Sequence, residues 1–298
     1  PGAPDVLACD DASQRPYWDG WGNGDNGGHG FGHWTNLVST VNSGDAAGFF
    51  IATNSANLDL LYAATRGRAW GLYANEGSSG ANPDQPQIAG AFRALPGPLQ
   101  VGQTFLIDFE HGGIRFGSLT ADNPPRNGGW VGFGLRAQMP LLQFDPDPIS
   151  PFGSMQNNGL LVGFRGGDLN YTLWDTQSSS GRDTGLPYTT NGVRAEVTVT
   201  GPGTFRLRLS SLAPGGGSVT LDGIHSGDLS VAGIFNRNAE LNDAFFNRMW
   251  VLDAPLATRA AADDAAGVAY VSGWTNQSNG GFGFQEWLLT ANPGPGLA

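Results

Sequence analysis

Residues Thr204–Leu212 read TFRLRLSSL. Phe205, Leu207 and Leu209 alternate with Arg206 and Arg208, so a strand here has one apolar and one wet face. Similar segments lie on both sides. GFFIAT (Gly48–Thr53), AWGLYAN (Ala69–Asn75), QTFLIDFE (Gln103–Glu110) and GWVGFGLRA (Gly129–Ala137) read as strands bounded by Gly, Asn and Pro. So do GLLVGFRG (Gly159–Gly166), LNYTLWD (Leu169–Asp175) and VRAEVTVT (Val193–Thr200). Short strands separated by turn signals predict an all-β, antiparallel two-sheet β-sandwich of the jelly-roll type. Helix is confined to LDLLYAAT (Leu58–Thr65), one or two turns at most, and to AAADD ahead of Ala265. DPDPISPFG (Asp145–Gly153) and SLAPGGGS (Ser211–Ser218) read as long surface loops.

Composition agrees. Among 298 residues, 47 glycines and 19 prolines without a collagen period mark many turns, and abundant aromatics exclude disorder. The formal charge is −11, and all fifteen basic residues are arginine. A lysine-free acidic surface argues against nucleic acid and anionic membranes as partners. No apolar run is long enough to span a bilayer. A first residue of Pro1 rather than methionine fits removal of an export signal. Cys9 is alone, so no internal disulfide or cysteine metal cluster is expected. VLAC (Val6–Cys9) has the form of a lipoprotein cleavage site but lacks a preceding hydrophobic run, and a tolerated thiol is the simpler reading.

The chain writes one motif twice. Sliding Ala8–Trp34 onto Ala261–Trp287 at a constant offset of 253 leaves 14 of 27 positions identical, more than a glycine-rich composition produces by accident. The first copy contains DGWGNGDNGGHGFGHW (Asp19–Trp34), the second SGWTNQSNGGFGFQEW (Ser272–Trp287). No third copy occurs between them. The pair is either one module plus the opening of a second, or one domain with matching ends.

Asp19, Asn23 and Asp25 have the residue types of calcium ligands, and Ca2+ is the one cofactor the sequence suggests. In the second copy Asp19 and Asp25 become Ser272 and Ser278, so the carboxylates go while the turn formers stay. His29 and His33 become Phe282 and Glu286, which leaves no shared metal site. Present in both copies are rings, asparagine and glycine: Trp21, Asn26, Gly27, Gly28, Phe31 and Trp34, matched by Trp274, Asn279, Gly280, Gly281, Phe284 and Trp287. Gly-Gly after Asn, at Gly27–Gly28 and Gly280–Gly281, is expected to supply the positive φ angles of a tight turn. The tryptophans serve either as a sugar-stacking platform or, more often for such rings, as core anchors under a hairpin.

The order GWGNGDNGGHGFGHW, GRAWGLYAN (Gly67–Asn75), LQVGQTFLIDFE (Leu99–Glu110), GWVGFGLRA and GIFNRNAELNDAFFNRMWV (Gly233–Val251) resembles a group of exported, largely uncharacterised bacterial cell-surface proteins. The resemblance spans Tyr17 to Val251 and implies a concanavalin-like (lectin/glucanase-type) sandwich and an extracellular location, but no chemistry. The second copy departs from that single-module pattern. The expected organisation is an N-terminal extension (1–16), a sandwich (17–255) and a C-terminal segment (256–298) docked on a sandwich in cis or in trans.

Three functions follow. The first is a non-catalytic extracellular structural module, self-associating head-to-tail through the duplicated motif as filament, sheath or surface layer. The second is a lectin-like module that stacks polysaccharide on Trp70, Tyr73, Trp130 or Trp174. The third is a glycoside hydrolase around Asp108 and Glu110, which alternate onto one strand face. The hydrolase reading is weakest: the third acid of a Glu-x-Asp-x-x-Glu strand is missing, and no Gly-x-Ser-x-Gly, phosphate loop or His-Glu-x-x-His occurs.

Overall fold

The computed structural model of the protein describes residues 5–39, 46–57, 59–75, 87–114, 129–139, 159–237 and 243–253. The described strands are β1 (Val6–Asp10), β2 (Thr35–Ser39), β3 (Ala46–Thr53), β4 (Arg68–Asn75), β5 (Ile88–Ala94), β6 (Thr104–His111), β7 (Trp130–Arg136) and β8 (Leu160–Arg165). They continue with β9 (Asn170–Asp175), β10 (Ser178–Pro187), β11 (Val193–Gly201), β12 (Thr204–Ser211), β13 (Ser218–Ile224), β14 (Val231–Arg237) and β15 (Ala244–Leu252). One sheet runs β13-β12-β11-β6-β15-β4-β3, with β1 added along β15; the other runs β10-β9-β8-β7-β14-β5-β2. Every pairing is antiparallel. The protein is an all-β, two-sheet sandwich.

The eight segments read as strands from sequence are strands. In β12, Phe205, Leu207 and Leu209 are fully buried, while Arg206 faces out and meets Asp222 on β13. The inner faces form one core, with Phe105, Ile107 and Phe109 of β6 opposite Phe133 of β7 and Ile234 of β14. β1 enlarges the domain. Its Val6–Asp10 pairs with Met249–Leu252, so the sandwich begins at Val6 and residues 1–16 are not merely an extension.

LDLLYAAT is not helical among its described residues. Its amides are taken by another group: Leu61, Tyr62 and Ala63 donate N–H at 2.8–2.9 Å to the Glu110 carboxylate. With these three N–H groups committed to a side chain, none of them closes a helical ring. This segment therefore covers the outer face of β6, and β6 is buried along its whole length.

His111 ends the inner face of β6, its ring 5.4 Å from that of Phe164 and 5.1 Å from that of Tyr188. Neither imidazole nitrogen has a partner among the described residues, and burial drives its pKa down from 6.5 to about 3. The unfolded chain takes up this proton below 6.5 but the folded one not until about 3. Its stabilising contribution is thus complete above the upper value and lost as pH falls through that window. His111→Leu should remove the dependence. In urea unfolding at a series of pH values, the parent should lose on the order of 1 kcal/mol per pH unit relative to the variant across the window.

Candidate functional site: a capped arginine socket

Ala89 and Ala91 of β5 point into the core, and the alternation places Arg93 there too. Its side chain is fully buried. A guanidinium in an apolar interior costs several kcal/mol unless its donors are met. All the partners described for it come from residues 10–34. Nη1 donates to Asp10, Nη2 to Asn26 Oδ1 at 2.8 Å and to the Gly32 carbonyl at 2.9 Å, and Nε to the same carbonyl at 3.1 Å. Its guanidinium carbon lies 4.6 Å from the centre of the Phe31 ring and 4.7 Å from that of Trp34.

Tyr17 closes the network. Its hydroxyl donates to Asp10 and accepts from Gly27 N at 2.9 Å and Trp34 Nε1 at 3.1 Å, which saturates the oxygen. Burial pushes the Asp10 carboxyl up, against the pull of Arg93 and Tyr17. Burial, with the Asp10 charge second, raises the Tyr17 phenol. Under this polar knot the rings of Trp21, Trp34 and Tyr17 close on Trp70 of β4, with centroids 6.2, 5.2 and 5.6 Å away. On the outer face, Asn247 of β15 accepts from Ala12 N at 2.9 Å and donates to the carbonyls of Ala63 and Arg68, each at 2.8 Å. Residues 8–34 thus form a cap; Arg93, Trp70 and Asn247 form its socket.

The glycines answer the question of packing or platform. Neither Gly27 nor Gly28 has the positive φ expected of a tight turn; close approach requires glycine instead, since a Cβ on Gly28 would overlap the Cys9 carbonyl and one on Gly27 the Tyr17 ring. Trp21, Phe31 and Trp34 are 6 %, 5 % and 1 % exposed, so the motif's rings are core. Trp274, Asn279, Gly280, Gly281, Phe284 and Trp287 lie outside the described residues, as does AAADD.

The other candidates are scattered. Asn23 Oδ1 accepts from Asn36 N at 2.6 Å and Asp25 Oδ2 from Gly22 N at 2.7 Å, so both act as turn formers; Asp19 is exposed. Among the described residues, no three His, Cys, Asp or Glu side chains gather as a metal site. Cys9 Sγ lies 3.2 Å from His29 Nδ1. Asp108 is fully buried between Arg194 (2.7 and 2.9 Å) and Arg248 (3.1 Å), and Glu110 is committed to three amides. Burial raises the Glu110 carboxyl against those amides. Of the proposed sugar-stacking rings, Trp70 and Trp174 are interior and offer no face to solvent. Tyr73 and Trp130 are half-buried, the latter 4.7 Å from the Trp174 ring. Among the described residues the most exposed ring is Trp18, 63 % accessible, which sequence reasoning passed over because it lies outside the repeated positions.

No family model and no curated protein matches this chain. Among solved structures it is similar to the globular domain of T. cruzi calreticulin at TM-score 0.42 and 11% identity, over 76% of this chain and 86% of that one. It is also similar to the VIP36 exoplasmic/lumenal domain in a Ca2+/Man3GlcNAc-bound form (TM-score 0.38, 10% identity, 70% and 84% covered). A third is the carbohydrate esterase vb_24B_21 of the Shiga toxin-encoding bacteriophage phi24B (TM-score 0.40, 12% identity, 85% and 100% covered).

The socket makes a direct prediction. Asn247→Ala leaves the Ala12 amide and two carbonyls without their partner. At roughly 1–3 kcal/mol for each buried group left unpaired, the loss should total about 3 kcal/mol or more. Gly22→Ala, where the added Cβ comes no closer than 3.9 Å to any atom, should be nearly neutral in the same urea titration.

Proposed function

We propose that the chain is a non-catalytic structural module of the cell exterior that joins sandwiches of its own kind. One observation carries this reading: the stretch written twice in the sequence is the stretch that closes the sandwich core. A second copy of a binding loop would add a ligand site, whereas a second copy of a cap adds a means of connection. Asp108 and Glu110, the acids on which hydrolysis would rest, hold the fold together instead.

The test is mass in solution. Trp274, Phe282, Phe284, Trp287, Leu288 and Leu289 put much apolar surface into the segment after Leu252. The 298-residue chain should therefore associate as its concentration rises, more so in salt that screens its charge of −11. A chain ending at Asp253 should be a folded monomer. Light scattering that finds the full chain monomeric at every concentration contradicts the proposal.

A second reading, a carbohydrate-binding module, rests on Trp18. Its ring is exposed and its indole N–H donates to the Ser13 carbonyl at 3.1 Å, which leaves a fixed apolar face in water. Stacking contributes on the order of 1 kcal/mol, so Trp18→Ala should weaken retention on a bound polysaccharide several-fold. Equal retention of parent and variant removes this reading.

A further inference from the structure

The two copies differ in a pattern that the socket explains. Eight residues of Ala8–Trp34 are buried, and seven of them are identical in the second copy: Ala8, Asp10, Ala12, Tyr17, Trp21, Phe31 and Trp34, with Ser13 the exception. Nine are exposed, and only Asn23 and Gly30 are identical. The side chains that hold Arg93 all recur, as Asp263, Asn279, Phe284 and Trp287, and Tyr17 recurs as Tyr270. Two further contacts use backbone atoms, the Gly32 carbonyl and the Ala12 amide, which Gln285 and Ala265 supply equally well.

Glycine follows the same rule. Gly27, Gly28 and Gly30, where a Cβ would collide with Tyr17, Cys9 and Leu7, stay glycine in the second copy. Gly22, where a Cβ meets nothing nearer than 3.9 Å, becomes Thr275; Gly24 at φ +87 and Gly32, 3.2 Å from Ala94, become Gln277 and Gln285, so the rule holds for the tightest contacts and not for every glycine. What recurs is thus chiefly the set of atoms facing the socket, and most of what drifts faces solvent.

We infer that residues 261–287 are a second cap for an Arg93–Trp70–Asn247 socket, in its own sandwich or in another of this kind. The inference rests on the structural-module reading and names its contact. Each chain carries two caps to one socket, so the caps compete for it, and a socket whose own first cap is impaired can be filled by a second cap. It would pair along the edge of β15 that β1 occupies, beside Met249–Leu252, and bring Asp263 to the guanidinium. Such addition of a segment to a sheet edge combines main-chain bonds with inserted side chains.

The experiment is a double replacement in the full chain, followed by thermal melting. Asp10→Ala removes the first cap's carboxylate, and Asp263→Ala the second's. If the caps are equivalent, the second can take over the socket. Asp10→Ala alone then melts within a few degrees of the parent, and the double variant melts roughly 10 °C lower, the scale of a buried guanidinium left unpaired. A double variant no worse than Asp10→Ala overturns the inference, as does an Asp10→Ala chain that fails to fold. Rescue at monomer mass supports cap equivalence just as rescue at dimer mass does, because the socket filled can belong to the same chain or to another. A monomeric parent would therefore sink the assembly reading without deciding this one.

Discussion

A cation buried between two sheets is the constraint on which this sandwich depends. Arg93 sits at an inward position of β5, where its neighbours in register are alanines and its surroundings are aromatic. A fork of five N–H groups cannot be left in such a place, and a planar guanidinium can be fully met only by a partner of fixed shape. That partner is assembled from a carboxylate on β1, an amide side chain and a carbonyl in the turn that follows, and two ring faces. The terminal segment is therefore fixed in register by polar chemistry and bound by apolar area. Neither alone would specify where 27 residues of glycine-rich chain lie.

The outer face of the larger sheet uses the same device with the signs reversed. Asp108 holds the arginines of β11 and of the β15 bulge, where Arg248 adopts φ +49, and Glu110 gathers three amides of the 59–65 segment. Asn247 joins that segment to the cap through one amide side chain. Of the two acids on this strand face, Asp108 ties together strands of its own sheet and Glu110 holds a covering segment onto it.

The strands with strict alternation were legible from sequence, because period-two patterning is local. β12 is the clearest case. β1 and β5 were not, since their inward faces carry Asp10 and Arg93 and break the apolar pattern where the two strands meet. In the first copy the rings lie in the core, one of the two alternatives the sequence left open, though their receptor was not legible. Arg93 lies 83 residues from Asp10 and 61 from Gly32, and no local spacing links them. One signal was available: Asp10 and Tyr17 recur among the 14 identities, and an acid retained beside retained aromatics calls for a buried cation. Of the sugar-stacking candidates, Trp70 and Trp174 are buried, because sequence alone does not reveal which side of a doubly covered sheet a tryptophan faces.

Equilibrium unfolding of Arg93→Met in urea tests the central claim most directly. Methionine keeps much of the buried stem and removes the guanidinium, which leaves Asp10, Asn26 and the Gly32 carbonyl without their donor whichever cap is seated. The account predicts a loss of roughly 3–5 kcal/mol, partly recovered when Asp10→Leu is added, because the stranded carboxylate goes with it. An Arg93→Met protein within about 0.5 kcal/mol of the parent would contradict it.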